Sequence, residues 1–503
     1  MVKKDSRRPL PSALRLGLAF FLSLTGGATA ATFTVANLAD SGPNSLRQAV
    51  LDANAAPGAD AISFAPGLTG TITLTSGEIR ITDSLAVAGP GAPVLTVSGN
   101  DHSRIFHVEN LPVAAAIDVT LSGLELTHGD SAAELGGGAV FADGENLTIL
   151  NSVISNSSSG LPQDPPVAGC GGNVGFFGRG VGTLRIADSA LTGGTAVGIG
   201  TSFGGNLCVF EGRLLLERSV LSGGKAYTGG GLHLDSLTGD STILSSTLAG
   251  NQGFQLAGGI SFDSPGVTLT IESSTISGNI AGRPGFEQAG FGGGVDANQG
   301  SLRIVNSTLS GNQATGYGGG ISFSGIGSDS LLLRLSTVSN NTAGRRGGGL
   351  AVGNLSAAIQ LDHAIVANGA PQDLSAIFSG PPATFTANYS LIEAPGDSIL
   401  VGANNLVGVD PLLGPLAGNG GPTLTHRPLA GSPVIDAGNP AIPGPPATDQ
   451  RGFARIFGAA VDLGSVEALS ELVEVPALSW TGLLVLAGLL FTVGARRLRR
   501  AGS

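Results

Sequence analysis

Two short segments carry the side chains best suited to chemistry: "GLHLDS" (231–236) and "GISFDS" (259–264). If both are strands with Leu232, Leu234, Ile260 and Phe262 turned inward, then His233, Asp235, Ser261 and Asp263 face outward, because strand side chains alternate. Asp235 and Asp263 would then lie one strand spacing apart if each segment opens one turn of a repeat. Two like charges that close repel unless a cation binds or one carboxyl keeps its proton. One reading is a calcium site on Asp235 and Asp263, since calcium takes hard oxygen ligands. The other is a pair of solvated carboxylates at a strand end. His128, His363 and His426 stand apart in the sequence and read as turn or surface residues. No residue is assigned a catalytic role.

The elements that would position these residues are visible as a repeat. Short apolar phrases such as "TISGN", "TLSGN" and "TVSNN" recur, centred on Leu126, Ile154, Leu191, Leu221, Leu248, Ile276, Leu309, Val338 and Val366. Their separations are 28, 37, 30, 27, 28, 33, 29 and 28 residues. A period near 29, repeated this often, marks a solenoid. Each period holds three short strand-like runs and no amphipathic helix, which excludes leucine-rich and helical repeats. The expected fold is all-β: a right-handed, single-stranded parallel β-helix with three strands per coil. Nine or ten coils at ~4.8 Å would give a rod roughly 45 Å long. Asn251, Asn279, Asn312 and Asn341 fall at equivalent turns, where stacked amides can pair along the rod. Triple glycines at 136–138, 229–231, 292–294, 318–320 and 347–349 supply tight bends.

Composition agrees. The 503 residues include 82 glycines, and charged residues make up only 12%, with a net charge of −11. After the N-terminal segment the only lysine is Lys225. No basic stripe exists, so nucleic-acid binding is set aside. Cys170 and Cys208 are the only cysteines and lie about one repeat apart. They would form a bridge between neighbouring coils or remain two buried thiols; without a nearby His pair they do not suit zinc.

The ends read as targeting signals. Residues 1–30 combine Lys3, Lys4, Arg7, Arg8 and Arg15 with an apolar run and the small-residue site Ala28-Thr29-Ala30. This is the pattern of a secretory signal peptide cleaved after Ala30. Residues 474–503 hold an apolar span from Leu478 to Val493, Trp480 at one border and Arg496, Arg497, Arg499 and Arg500 at the other. These predict a transmembrane helix with a cytoplasmic basic tail and the body of the chain outside the cytoplasm.

Three resemblances extend this reading. Val475-Pro476-Ala477-Leu478-Ser479-Trp480-Thr481-Gly482, with the span and arginines after it, is similar to the IPTL-CTERM type of bacterial sorting signal. That implies processing by an exosortase-type membrane enzyme. Asn44-Ser45-Leu46-Arg47-Gln48-Ala49 resembles the core of the CSLREA-type entry region of exported β-helix proteins, with Asn44 in place of the family's cysteine and Gln48 in place of its glutamate. "NGGPTLTH", "GSPVIDAG" and "TDQRG" resemble the choice-of-anchor Q domain. The implied organisation is a signal peptide (1–30), an N-terminal capping region (31–100), β-helix repeats (101–400), a choice-of-anchor Q-like domain (401–470) and the sorting tail (474–503). The entry region carries a helix expected over Ser45–Asn54, capped by Asn44.

Pectin-type lyases and polysaccharide hydrolases also use parallel β-helices. Their Asn-x-Asp, Asp-Asp, Gly-His-Gly and Arg-x-Lys motifs are missing here. The sequence therefore favours an exported structural or adhesive protein, with surface glycans or neighbouring cells as partners and no cofactor beyond calcium. A polysaccharide lyase or glycoside hydrolase is the alternative.

Overall fold

The computed structural model describes residues 30–110, 115–131, 136–160, 169–198, 202–283, 290–378 and 381–468. Most of the signal segment, including Ala28, and the whole sorting motif, apolar span and arginine tail lie outside the described residues. Among the described residues no helix is long and apolar enough to cross a membrane.

The chain is a parallel β-helix. All nine phrase centres stack in one thirteen-stranded parallel sheet, in unbroken register from Leu126 opposite Ile154 to Val338 opposite Val366. Each is at most 1% exposed. Covering by the coils on either side removes these side chains from water, which is the main source of stability. Two further faces complete each coil. They merge where Ile260–Glu272 and Val295–Val305 run straight through a corner. A short eight-stranded ladder, including Asp130–Ser131 and Thr342–Ala343, adds a small facet before the glycine bends.

The rod is longer than the phrases suggest. The thirteen rungs begin at Gly70–Thr73 and end at Leu406–Val407, because the entry region and the segment after 384 join the ladders. At ~4.8 Å per rung the length is about 60 Å, against the 45 Å expected from nine phrases. The entry helix spans Leu46–Ala55, one residue later than expected. Asn44 takes a left-handed φ of 60°, and Ser45 caps instead, its hydroxyl accepting from Gln48 N at 3.2 Å.

Two polar ladders fix the corners. Asn173, Asn206, Asn251, Asn279, Asn312 and Asn341 form a buried column, each side-chain amide donating to the next residue's Oδ1 at 2.9–3.1 Å. For Asn251, Asn279, Asn312 and Asn341 the left-handed residue at this corner is the one before the asparagine, for example Gly311 (φ 66°) or Asn340 (φ 60°). The asparagine's job is therefore pairing and not backbone strain. The column also changes its source. In the upper coils the amide follows the phrase, as in Ser310-Gly311-Asn312, and faces the third glycine of the bend. In the lower coils it ends the bend itself, as in Gly204-Gly205-Asn206, and faces Gly224. A Cβ on Gly224 would sit 2.6 Å from Asn206 Nδ2. One amide and one glycine thus exchange places across the corner. At the opposite corner Ser189, Ser219, Ser246, Ser274 and Ser307 each accept from the backbone N–H of the preceding coil's serine at 3.0–3.2 Å.

Residues 411–468 pack along the outside of the phrase sheet. Thr275 donates to Leu424 O at 2.6 Å, Thr308 to Gln450 Oε1 at 2.6 Å, and Ser465 N to Thr337 Oγ1 at 3.1 Å. His426 and His363 belong to this contact and are each 2% exposed, so neither is a surface residue, while His363 does occupy a left-handed bend at φ 56°. His426 bonds Ser310 Oγ at 2.8 Å, and His363 Nε2 accepts from Asn439 N at 2.9 Å.

Candidate functional site

One face of the helix opens after the glycine bends, and its outward side chains form two columns. At Gly318–Gly320 the bend is forced: Gly318 has φ 65°, and a Cβ on Gly319 or Gly320 would meet backbone oxygens of the next coil at 2.4 or 2.6 Å. The strand that follows each bend is therefore held hard against the residue that precedes it. That pre-bend residue forms a wall beside the strand, through Cys170, Phe203 and Thr228 in the lower coils and Phe291, Tyr317 and Arg346 in the upper ones.

Strand register defines the columns. The first runs His107, Phe141, Gly175, Cys208, His233, Ser261, Asp296, Ser322. The second runs Asp143, Phe177, Phe210, Asp235, Asp263. The lower part is aromatic. Phe141, Phe177 and Phe210 meet edge to face at 5.2 and 5.4 Å, a favoured ring geometry. Phe203, from the wall, stacks on His233 at 4.7 Å. Cys170 and Cys208 are joined by a disulfide with Cα atoms 5.4 Å apart, linking the wall to the strand of the next coil.

His233 begins the acidic part. Asp235 and Asp263 are direct register partners and both are half-buried. Asn298 donates to Asp263 Oδ2 at 3.1 Å, and Ser236 to Asp235 Oδ1 at 2.7 Å. Asp296, one coil further, is 9% exposed. Sequence reasoning missed it, although it stands two places after a triple glycine, as His233 does. The three carboxyls have different proton affinities. His233 beside it and the Ser236 hydroxyl hold Asp235 below the usual range. Burial raises Asp263, with the nearby Asp235 charge adding to it. Burial also lifts Asp296 to about 6, helped by the charge of Asp263.

His233 is 4% exposed, and neither ring nitrogen has a hydrogen-bond partner. Its Nε2 faces Asp235 Oδ2 at 3.8 Å, beyond hydrogen-bond reach. Among the described residues none of the three carboxylates pairs with a lysine or arginine. Nor do three or more His, Cys, Asp or Glu side chains converge tightly enough to hold a metal ion among those residues. The arrangement can present aromatic faces beside carboxylates and an imidazole with unused donor and acceptor capacity.

The N-terminal end of the same face is compensated. Glu78 bonds Arg104 at 2.6 Å and His107 at 3.0 Å. Burial works to raise Glu78, but His107 and Arg104 outweigh it and hold its carboxyl at about 2.

No family model and no curated protein matches the chain. Among solved structures, the crystal structure of pectate lyase Pel9A aligns with 88% of this chain and 98% of its own, at 17% identity and a TM-score of 0.41. The parallel β-helix of this chain is defined by the ladders above.

Proposed function

We propose that this is an exported β-helix protein of the bacterial cell surface, whose bend-side face binds a glycan chain running along the rod. The observation that carries the reading is the aromatic row Phe177, Phe203 and Phe210 leading into His233, Asp235 and Asp263 on one outward face. Aromatic faces take the C–H faces of sugar rings, and carboxylates and imidazole bond hydroxyls. Export rests on the N-terminal signal pattern ending at Ala30. Surface sorting rests on the CSLREA-like entry, the choice-of-anchor Q-like segment and the IPTL-CTERM-like tail, processed by an exosortase-type enzyme. Probing the full chain on a glycan array tests the binding role. Retention of at least one glycan class, lost on Phe210→Ala, is expected; an array without any binding would overturn it.

The alternative reading, glycoside hydrolysis, draws support from one feature: Asp235 is held low while Asp263 and Asp296 are raised. Neighbouring carboxyls with separated proton affinities suit a base and an acid. Reducing-end release from a bound glycan, abolished in Asp263→Asn, would establish it; intact glycan after prolonged incubation would exclude it.

A further inference from the structure

Taking the glycan-binding reading as its basis, we infer that the sugar recognised at His233, Asp235, Asp263 and Asp296 carries a protonated amine, as in a glucosamine polymer with free amino groups. Three observations point to a cation of this kind. First, the three carboxylates occupy consecutive coils, and among the described residues none has a lysine or arginine beside it. A partly buried group of like charges without a counter-ion is destabilising, and a bound cation removes that cost. Second, His233 is 4% exposed with both ring nitrogens unpartnered, and its Nε2 is directed at the Asp235 carboxylate from 3.8 Å. Buried polar atoms of folded proteins are nearly always satisfied, so an imidazole left this way marks a place where a ligand supplies the missing partner. Third, the site is walled on one side by Phe203, stacked on His233 at 4.7 Å, and by Phe210 at 5.3 Å. A bare metal ion gains little from that wall. A sugar ring covers it while its ammonium group meets Asp235 and Asp263.

The same electrostatics exclude the opposite ligand. A uronate chain would bring carboxylates against carboxylates, and the described residues of the site hold no arginine or lysine to receive them. An N-acetylated sugar would keep the stacking and lose the charge pairing.

Calorimetric titration of the full chain at neutral pH tests this with five probes: a glucosamine tetramer, its N-acetylated counterpart, a galacturonate tetramer, spermidine and calcium chloride. The glucosamine tetramer should bind at least about tenfold more tightly than the N-acetylated one, the effect of one charge-assisted hydrogen bond. That preference should shrink as salt rises, since salt screens charge pairing. Asp235→Asn and Asp263→Asn should each remove most of that preference. A cooperative thermal melt no lower than that of the parent chain shows that each variant is folded. Equal or tighter binding of the N-acetylated or galacturonate tetramer would overturn the amine assignment and leave glycan binding standing. Equal binding of spermidine would show that charge alone is read and overturn the sugar. Calcium binding without tetramer binding would return the site to the metal expected from Asp235 and Asp263. Binding of no glycan would overturn both readings.

Discussion

The lower and upper coils of the bend-side face share one backbone plan and differ in what they leave unsatisfied. Below His233, most outward residues complete one another: Phe141, Phe177 and Phe210 interlock, the Cys170–Cys208 bridge ties wall to strand, and Glu78 bonds Arg104 and His107, although His107 Nε2, 3.5 Å from Glu109 Oε2, has no hydrogen-bond partner. From His233 upward, the same positions hold an unpartnered imidazole and three carboxylates. The inward residues of the two regions are alike: Val174 and Phe176 below, Ile260 and Phe262 above, all 0% exposed. A solenoid keeps its inward positions apolar because each coil must cover the next, while its outward positions answer to other demands. Function is therefore to be sought where outward residues fail to satisfy one another, and the lower coils provide the internal control.

Both regions depend on the amide column, so cutting it should have the largest effect. Asn279 Oδ1 accepts from Asn251 N and Nδ2, and Asn279 Nδ2 donates to Leu248 O and Asn312 Oδ1, all at 2.9–3.0 Å. Asn279→Ala removes four buried hydrogen bonds and orphans Asn251 N, while Asn251 Nδ2 keeps Leu221 O and Asn312 Oδ1 keeps Asn279 N, a loss of about 5 kcal/mol at about 1 kcal/mol per bond plus the orphaned donor. Denaturant unfolding would measure it; a loss below about 1 kcal/mol would mean the column is decoration. Next comes the bridge that seals the lower coils. Replacing both Cys170 and Cys208 with alanine opens a loop of sequence separation 38, worth about 4 kcal/mol by loop entropy. Hydrogen exchange should rise in the strands at Val174–Phe177 and Leu207–Phe210 and stay unchanged from Ile321 onward. Uniform loosening along the rod would dissolve the distinction between the two regions.

How far the sequence disclosed this follows from what kind of contact each feature makes. The nine phrase centres were readable because each meets its equivalent in the next coil, so contact in space becomes period in sequence. The Asp235/Asp263 pairing was readable for the same reason. The exchange of Asn206 and Gly224 was not, because the amide moves across the corner and breaks the period while keeping the contact. Asp296 could have been found by aligning on the triple glycines, since Gly292–Gly294, Val295, Asp296 parallels Gly229–Gly231, Leu232, His233. Its burial could not, because an alignment gives register and not exposure. The buried state of Thr275, Thr308 and Thr337 was equally hidden, because it depends on residues more than a hundred positions later.

The smallest effect is also the one that separates the two regions by sign. Asp296 is raised from 3.8 to about 6 in the folded chain, with Ser261 and Ser322 as its register partners and Asp263 as the nearby charge. A raised carboxyl binds its proton more tightly when folded, so stability should climb as pH falls from about 6 towards 4, by up to about 3 kcal/mol. Asp263, also raised, works in the same direction. Glu78 works the other way: held at about 2 against an ordinary 4.5, its stabilisation is fully present above 4.5 and is lost as pH falls towards 2. Acidification should first tighten the upper coils and only later loosen the lower ones, giving a maximum of stability near pH 4. In Asp296→Asn the gain between pH 6 and 4 should shrink by up to about 3 kcal/mol, leaving what Asp263 and the other raised carboxyls, Asp373, Asp462 and Glu467, supply, while the loss below 4.5 persists. Thermal melts across that range, for both chains, decide it. If the variant keeps the full rise, Asp296 carries no buried charge at neutral pH, and the contrast between a satisfied and an unsatisfied half of the face fails at its most buried member.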